Sequence, residues 1–248
     1  MSMKRKVLIT GATSDIGLSI AHKHVQEGNF VILLGRNEES LKIAEESLGR
    51  DSSAAYVWDL KSSSSLKPLL KKIVTEQGKI TDLICAAGYH KILPLKLVSD
   101  EELLLTMQTN VNSHLLLCQL FSNALYSDKS QDRSITLISS IAHFVGEPGL
   151  VAYSAAKGAL ISASKSMARE LAPRKIRVNT VSPGWVETKH TKDVAVDLGE
   201  IALEKLHNLY PLGLGKPEDI AEACYFLSSS SSRWVTGLDL VIDGGRSV

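Results

Sequence analysis

Three cysteines in 248 residues are too few, and too widely spread, for a disulfide framework. Cys85, Cys118 and Cys224 form an odd set with no close pair, which points to a reducing, cytoplasmic setting. Excess charge is missing as well: 28 Lys and Arg against 27 Asp and Glu leave a formal net charge of +1, with seven His counted neutral. Such a balance exerts no long-range pull toward nucleic acid or anionic lipid, so neither is expected as a partner. No run of about 20 apolar residues occurs, so no membrane-spanning helix is expected. The basic start Lys4-Arg5-Lys6 is followed only by Val7-Leu8-Ile9, too short for the apolar part of a secretion signal. No repeat of about 20–50 residues is present. The serine runs Ser62–Ser65 and Ser228–Ser232 are too short for linkers and read as helix starts and turns. His22 and His24 face different sides of a helix. His90, His114, His143, His190 and His207 lack ligand spacing with Cys or Asp, so no metal site is expected.

What remains is ordinary globular composition, 44% hydrophobic and 22% charged, which excludes a disordered or collagen-like chain. Short β-branched or apolar runs read as strands at Val7–Thr10, Phe30–Leu34, Ala54–Trp58, Asp82–Ala86, Ser134–Ser139, Ile176–Val181 and Leu238–Ile242. Between them, helical spacing marks Ile16–Glu27, Glu38–Leu48, Ser65–Gln77, Asp100–Leu125, Val151–Leu171 and Pro217–Ser228. Sustained strand–helix alternation predicts a single α/β domain over residues 1–248. It would be doubly wound, with a parallel sheet of about seven strands and helices on both faces. Trp185–Tyr210 lacks a strand and reads either as a flap over a site or as a surface helix pair.

Thr10-Gly11-Ala12-Thr13-Ser14-Asp15-Ile16-Gly17 joins the first strand to the first helix, the context of a dinucleotide-binding turn. Gly11 permits a tight turn and lets backbone approach a phosphate, and Gly17 allows close helix–strand packing. The helix N-terminus offers N–H groups and partial positive charge to a pyrophosphate. The plainer reading is an ordinary turn with Asp15 as helix cap. The second strand ends Leu34-Gly35-Arg36-Asn37. NAD-binding folds usually place a carboxylate there for the ribose hydroxyls. Here Gly35 has none and Arg36 follows, a guanidinium suited to a 2′-phosphate, so NADP(H) is expected over NAD(H). The alternative for Arg36 is a solvated surface residue.

Tyr153 and Lys157 stand four apart, on one face of a helix. A free phenol titrates near pH 10, and a nearby ammonium together with an oxidised nicotinamide is expected to lower that value. The Tyr then gives or takes a hydroxyl proton while hydride moves. Ser140 lies 13 residues before Tyr153, just past a predicted strand, with Ser139 beside it. Asn110, in Asn110-Val111-Asn112-Ser113, reads on its own as an exposed or capping residue. His143 reads as a pocket-lining or a partly exposed loop residue, Trp185 as a cover for the pocket, and Trp58 and Trp234 as core or interface.

The turn at Thr10–Gly17 resembles Thr-Gly-x-x-x-Gly-x-Gly of the short-chain dehydrogenases/reductases, with Asp15 at that pattern's middle glycine. Cys85-Ala86-Ala87-Gly88 is similar to the family's Asn-Ala-Gly turn, with Cys85 in place of Asn and read as a packed thiol. Pro183-Gly184-Trp185-Val186-Glu187-Thr188 resembles Pro-Gly-x-x-x-Thr, and Thr236-Gly237 through Asp243-Gly244-Gly245 resembles the closing strand. The likeness runs in order from Lys6 to Gly245, and within the family it looks nearest to 3-oxoacyl-[acyl-carrier-protein] reductases.

That resemblance implies a Rossmann-type domain and a catalytic set of Asn110, Ser140, Tyr153 and Lys157. Ser140 would bind the substrate oxygen, and Asn110 would kink a central helix and place a water near Lys157. The implied cofactor site comprises Gly11, Thr13, Ser14, Asp15, Ile16, Gly17, Arg36, Asn37, Asp59, Leu60, Ala86, Ala87, Gly88, Tyr153, Lys157, Pro183, Gly184, Val186 and Thr188. Asp59 would meet the adenine amino group; structurally it reads as a helix cap. Arg174 falls where those reductases carry a basic residue for the carrier protein, while Gln131 and Leu214 replace commonly basic ones. The expected activity is hydride transfer between NADP(H) and a carbonyl/alcohol pair, with an acyl thioester on a carrier protein as substrate. A sugar, polyol or small ketone is the alternative substrate, and a non-catalytic NADP-sensing regulator the alternative of another class. A homotetramer or homodimer is implied, through the helices Asp100–Leu125 and Val151–Leu171.

Overall fold

Val, Ile and Leu recur along the strands, and both faces of the sheet they form are covered by helices. The computed structural model describes residues 4–189, 191 and 200–248, with side chains from residue 203 onward in the last stretch. In chain order the elements begin β1 (Lys6–Thr10), α1 (Asp15–Gln26), β2 (Phe30–Gly35), α2 (Glu38–Leu48), β3 (Ser53–Val57), α3 (Ser63–Gln77) and β4 (Asp82–Cys85). They continue with α4 (Asp100–Met107), a π turn (Gln108–Asn112), α5 (Ser113–Ser122), β5 (Arg133–Ile138), α6 (Ala142–Val145), α7 (Val151–Leu171), β6 (Ile176–Pro183), α8 (Glu200–Asn208), α9 (Pro217–Ser228) and β7 (Asp239–Ile242). The seven strands form one sheet in the order β3-β2-β1-β4-β5-β6-β7, and all six pairings are parallel. The Rossmann-type doubly wound sheet expected from the alternation is therefore present.

Alternation along the strands divides the core. Leu8, Ile32, Leu34 and Leu83 face Leu70 of α3, Phe121 of α5 and Leu160 of α7. Val7, Ile9, Val31 and Leu33 face Ile20 of α1, Leu41 of α2 and Ile220 of α9. The strand order reverses between β1 and β4, where an open α/β sheet presents a crevice at its carboxyl ends. Thr10 pairs in register with both Leu34 and Cys85, so the loops after β1, β2 and β4 emerge level around that crevice.

The long helix expected over Asp100–Leu125 is instead two helices joined by the π turn, and it stops at Ser122. Asn123 ends it: its backbone is extended, and its side-chain oxygen accepts from Leu125 N at 2.9 Å. An Asn side chain that satisfies nearby backbone offers the chain an alternative to helix. Other boundaries move by one or two residues; Ser139, for example, lies beyond the end of β5. Trp58 is core at 2% exposure, whereas Trp234 is 91% exposed and no part of the core. Of the segment Trp185–Tyr210, read as a flap or a surface helix pair, His190 and residues 192–199 lie outside the described residues.

Candidate active site

Gly11 stands at φ +66, and a Cβ there would lie 2.7 Å from the backbone of Ala87. The turn after β1 therefore closes against the turn after β4 only because Gly11 has no side chain. Gly17 is equally tight, with a Cβ placed 2.1 Å from Gly11 O. The helix cap is Ser14, not Asp15: Ser14 is extended, its Oγ accepts from Gly17 N at 3.1 Å and donates to Gly11 O at 2.8 Å. Asp15 is already helical, and its carboxylate accepts from Lys189 N at 2.5 Å, tying the turn to the chain beyond β6.

A cleft of about 240 Å³ opens here, lined by Gly11, Thr13, Ser14, Gly35, Arg36, Asp59, Leu60, Ala86, Ala87 and Gly88 among others. Gly35 and exposed Arg36 put a cation, with no carboxylate, at the end of β2. Asn37 caps α2 by accepting from Ser40 N at 2.8 Å. Asp59 accepts from Lys61 N at 3.0 Å, an Asx turn rather than a cap on α3, whose N-terminus has Ser62 at the cap position. Leu60 is buried in the core on one face of the sheet, and Ile16 packs against the core on the other face. Ala87 N donates to Thr10 Oγ1 at 3.1 Å. A side-chain-free turn, a helix N-terminus and a cation beyond the second strand fit a phosphorylated dinucleotide.

Asn110 is wholly buried in the π turn. Its Nδ2 donates to Tyr89 O at 2.7 Å and to Thr106 O at 3.0 Å, and its Oδ1 accepts from Tyr89 N at 3.1 Å. A Cβ on Gly88 would sit 3.2 Å from Asn110 Oδ1 and 3.7 Å from Lys157 Nζ, so these three residues converge. Lys157 is buried and donates to Ile138 O at 2.8 Å. Burial pushes its pKa down to about 8.

Ser139 donates to Lys157 O, and Ser140 accepts from Ala142 N at 3.2 Å. Ser140 is the serine that acts on the Tyr153 phenol. Burial pushes Tyr153 up to about 12, with the Ser140 hydrogen bond pulling the other way. The Lys157 ammonium sits 5.4 Å from the Tyr153 ring centre.

Two residues carry more than sequence reasoning assigned them. His90 lies with its ring centre 5.4 Å from that of Tyr153; its only sequence signal was its place two residues after Gly88. His143 is not a loop residue: it sits in α6, its Nε2 3.0 Å from an Asp239 carboxylate oxygen. Pro183, the last residue of β6, is buried, and Gly184 N beyond it donates to Ile242 O at 2.9 Å. Val186 is buried and bridges to Gly215, Thr188 N donates to Thr191 Oγ1 at 2.7 Å, and Trp185 N donates to Tyr210 Oη at 3.0 Å. Cys85 is a packed thiol, pushed up by burial. Arg174 lines a separate cavity of about 900 Å³ with Lys67, Lys129, Arg133 and Lys175. It precedes β6 and so belongs to the end of the sheet opposite Tyr153.

Fold and site together define a dinucleotide-binding oxidoreductase built on a doubly wound sheet. The profile of the family described as Enoyl-(Acyl carrier protein) reductase matches residues 11–247. The chain is 34% identical to 3-oxoacyl-[acyl-carrier-protein] reductase FabG of Thermotoga maritima, over 99% of each chain. It is 33% identical to the NADP-dependent (R)-specific alcohol dehydrogenase of Lentilactobacillus kefiri, over 98% of this chain and 97% of that protein. A short-chain dehydrogenase/reductase of Brucella melitensis, titled a glucose/ribitol dehydrogenase, superposes with a TM-score of 0.91 at 30% identity, over 98% and 97% of the chains. The chain belongs to the short-chain dehydrogenases/reductases, oxidoreductases that act on CH–OH and C=O groups with a nicotinamide cofactor. Among the described residues, no helix is long and apolar enough to cross a membrane.

Proposed function

We propose that this chain is an NADP(H)-dependent reductase of 3-oxoacyl thioesters, with residues 1–248 as one catalytic unit. The observation that carries the reading is the convergence of Tyr153, Ser140 and Lys157 beside Asn110 and Gly88. Bound in the cleft, a nicotinamide supplies the hydride in reduction and accepts it in oxidation. Tyr153, which stays protonated at neutral pH, gives its proton to the oxygen that becomes hydroxyl. Ser140 orients that oxygen by hydrogen bonding. The Lys157 ammonium favours the phenolate left behind, and would also hold the ribose hydroxyls. Asn110 supports Lys157 from the π turn.

Arg36 at the end of β2 supports NADP(H), as does the relative named as NADP-dependent. Three free cysteines, all buried, support a cytoplasmic setting. A homotetramer or homodimer and a carrier-protein substrate follow from the likeness to the reductases. Arg174 at the far end of the sheet leaves the carrier-protein contact to be read by experiment. A second reading, a small ketone or alcohol as substrate, is favoured by the alcohol dehydrogenase relative. The test is NADPH oxidation with acetoacetyl thioesters beside a panel of ketones, sugars and polyols. Fastest turnover of the thioesters supports the reading; fastest turnover of a small ketone supports the second. NADPH binding without any turnover overturns both in favour of a sensor.

A further inference from the structure

Around the π turn, side chains supply donors to carbonyls four residues back. Thr109 Oγ1 donates to Leu105 O at 2.8 Å, Asn110 Nδ2 to Thr106 O at 3.0 Å, and Ser113 Oγ to Thr109 O at 2.9 Å. The wide turn explains the need: Ser113 N bonds Gln108 O, five residues back, so the regular ladder is shifted. The last member of this series is His114, whose Nδ1 lies 3.0 Å from Asn110 O. Because a carbonyl only accepts, Nδ1 carries the hydrogen and Nε2 of the neutral ring is a bare acceptor. His114 is wholly buried, and Nε2 has no hydrogen-bond partner among the described residues. Burial and the nearby Lys157 charge push its pKa down to about 3, so the ring stays neutral. A buried, unpaired acceptor is unfavourable, and leucine would fill the space without one. The imidazole is therefore present for its one working group, the Nδ1–H.

We propose that His114 is a positioning residue of the active site: its Nδ1–H clamps the Asn110 carbonyl and so holds the Asn110 side chain on the Tyr89 backbone, at Gly88 and Lys157. The proposal rests on the reading of Asn110 and Lys157 as parts of that site. Three full-length variants test it. His114→Asn keeps an amide N–H close to where Nδ1 stands, His114→Gln moves it to the place of Nε2, and His114→Leu removes it. The Leu and Gln variants lose about tenfold or more in kcat with KM within about twofold, and the Asn variant recovers most of it. Hydrogen exchange at the Tyr89 amide, which donates to Asn110 Oδ1, speeds up in the Leu and Gln variants and returns in the Asn variant. If the wild-type protein turns over no carbonyl substrate, the proposed function fails while Tyr89 exchange still decides the role of His114. If the Leu variant does not fold, Asn against Gln carries the comparison. A Leu variant with wild-type kcat, unmoved Tyr89 exchange, or an Asn variant no better than Gln overturns the proposal.

Discussion

Lys157 Nζ stands 5.4 Å from the centre of the Tyr153 ring while it donates at 2.8 Å to the Ile138 carbonyl. The ammonium is thus anchored to the end of β5 and faces the phenol without bonding it. Both groups are pushed toward their neutral forms by burial, Tyr153 up to about 12 and Lys157 down to about 8. A phenol held protonated beside a cation of reduced pKa suits an acid that releases its proton only when a carbonyl oxygen gains charge.

The Lys157 shift sets a pH window. Folded Lys157 titrates near 8 against 10.5 unfolded, so between those values the unfolded chain holds a proton that the folded chain has released. Stability contributed by this group therefore rises with pH across that window, and below it the full cost of burying the ammonium applies. Thermal melts of wild type and Lys157→Met should diverge in the wild type's favour as pH climbs through the window; parallel curves contradict the assignment. In reduction, kcat/KM should fall as pH rises through about 8, where the free enzyme loses this charge. Lys157→Arg should carry the descending limb to higher pH.

Arg36 follows Gly35 directly beyond the end of β2 and lines the cleft, with Gly rather than a carboxylate at the strand's last position. Wild type should prefer NADPH, and Arg36→Asp should reduce the NADPH/NADH ratio of kcat/KM. Losing charge-assisted hydrogen bonds of about 1.5–3 kcal/mol corresponds to roughly 10–150-fold. An unchanged ratio would place the 2′-phosphate elsewhere.

Asp15 puts a carboxylate in the phosphate turn and spends it on Lys189 N–H. Asp15→Asn keeps an oxygen for that N–H and removes the charge, so NADPH should bind roughly two- to fivefold tighter, a change on the order of 0.5–1 kcal/mol. Asp15→Ala loses the tether too and should not share the gain. Fluorescence titration of NADPH reads both; equal behaviour would show that the tether carries nothing.

Much of the fold was legible because its signals are local. Helices α2, α7 and α9 run over the same residues that periodicity marks, with Asn37 and Pro217 as start signals. The break at Asn110 has no strong local mark, because the mostly polar stretch Thr106–His114 holds no Gly or Pro. It depends on side chains competing for carbonyls across a turn. The proposed site's members, from Gly11 through Lys157, were named motif by motif through the family resemblance, with the Tyr153–Lys157 spacing the part readable on its own. Their electrostatics were not legible, since the direction of the Tyr153 shift is decided by burial that only packing creates. Contacts such as His143 with Asp239, 96 residues apart, lie beyond any sequence window.

The central claim is that Tyr153 is the proton donor of a nicotinamide-dependent carbonyl reduction. Its most direct test pairs NADPH turnover with NADPH binding in Tyr153→Phe, which keeps the ring near His90 and Lys157 and removes only the hydroxyl. The account predicts turnover lowered by about 10²–10⁴ or more, with the NADPH dissociation constant within about twofold of wild type. Turnover close to wild type in that variant would contradict it.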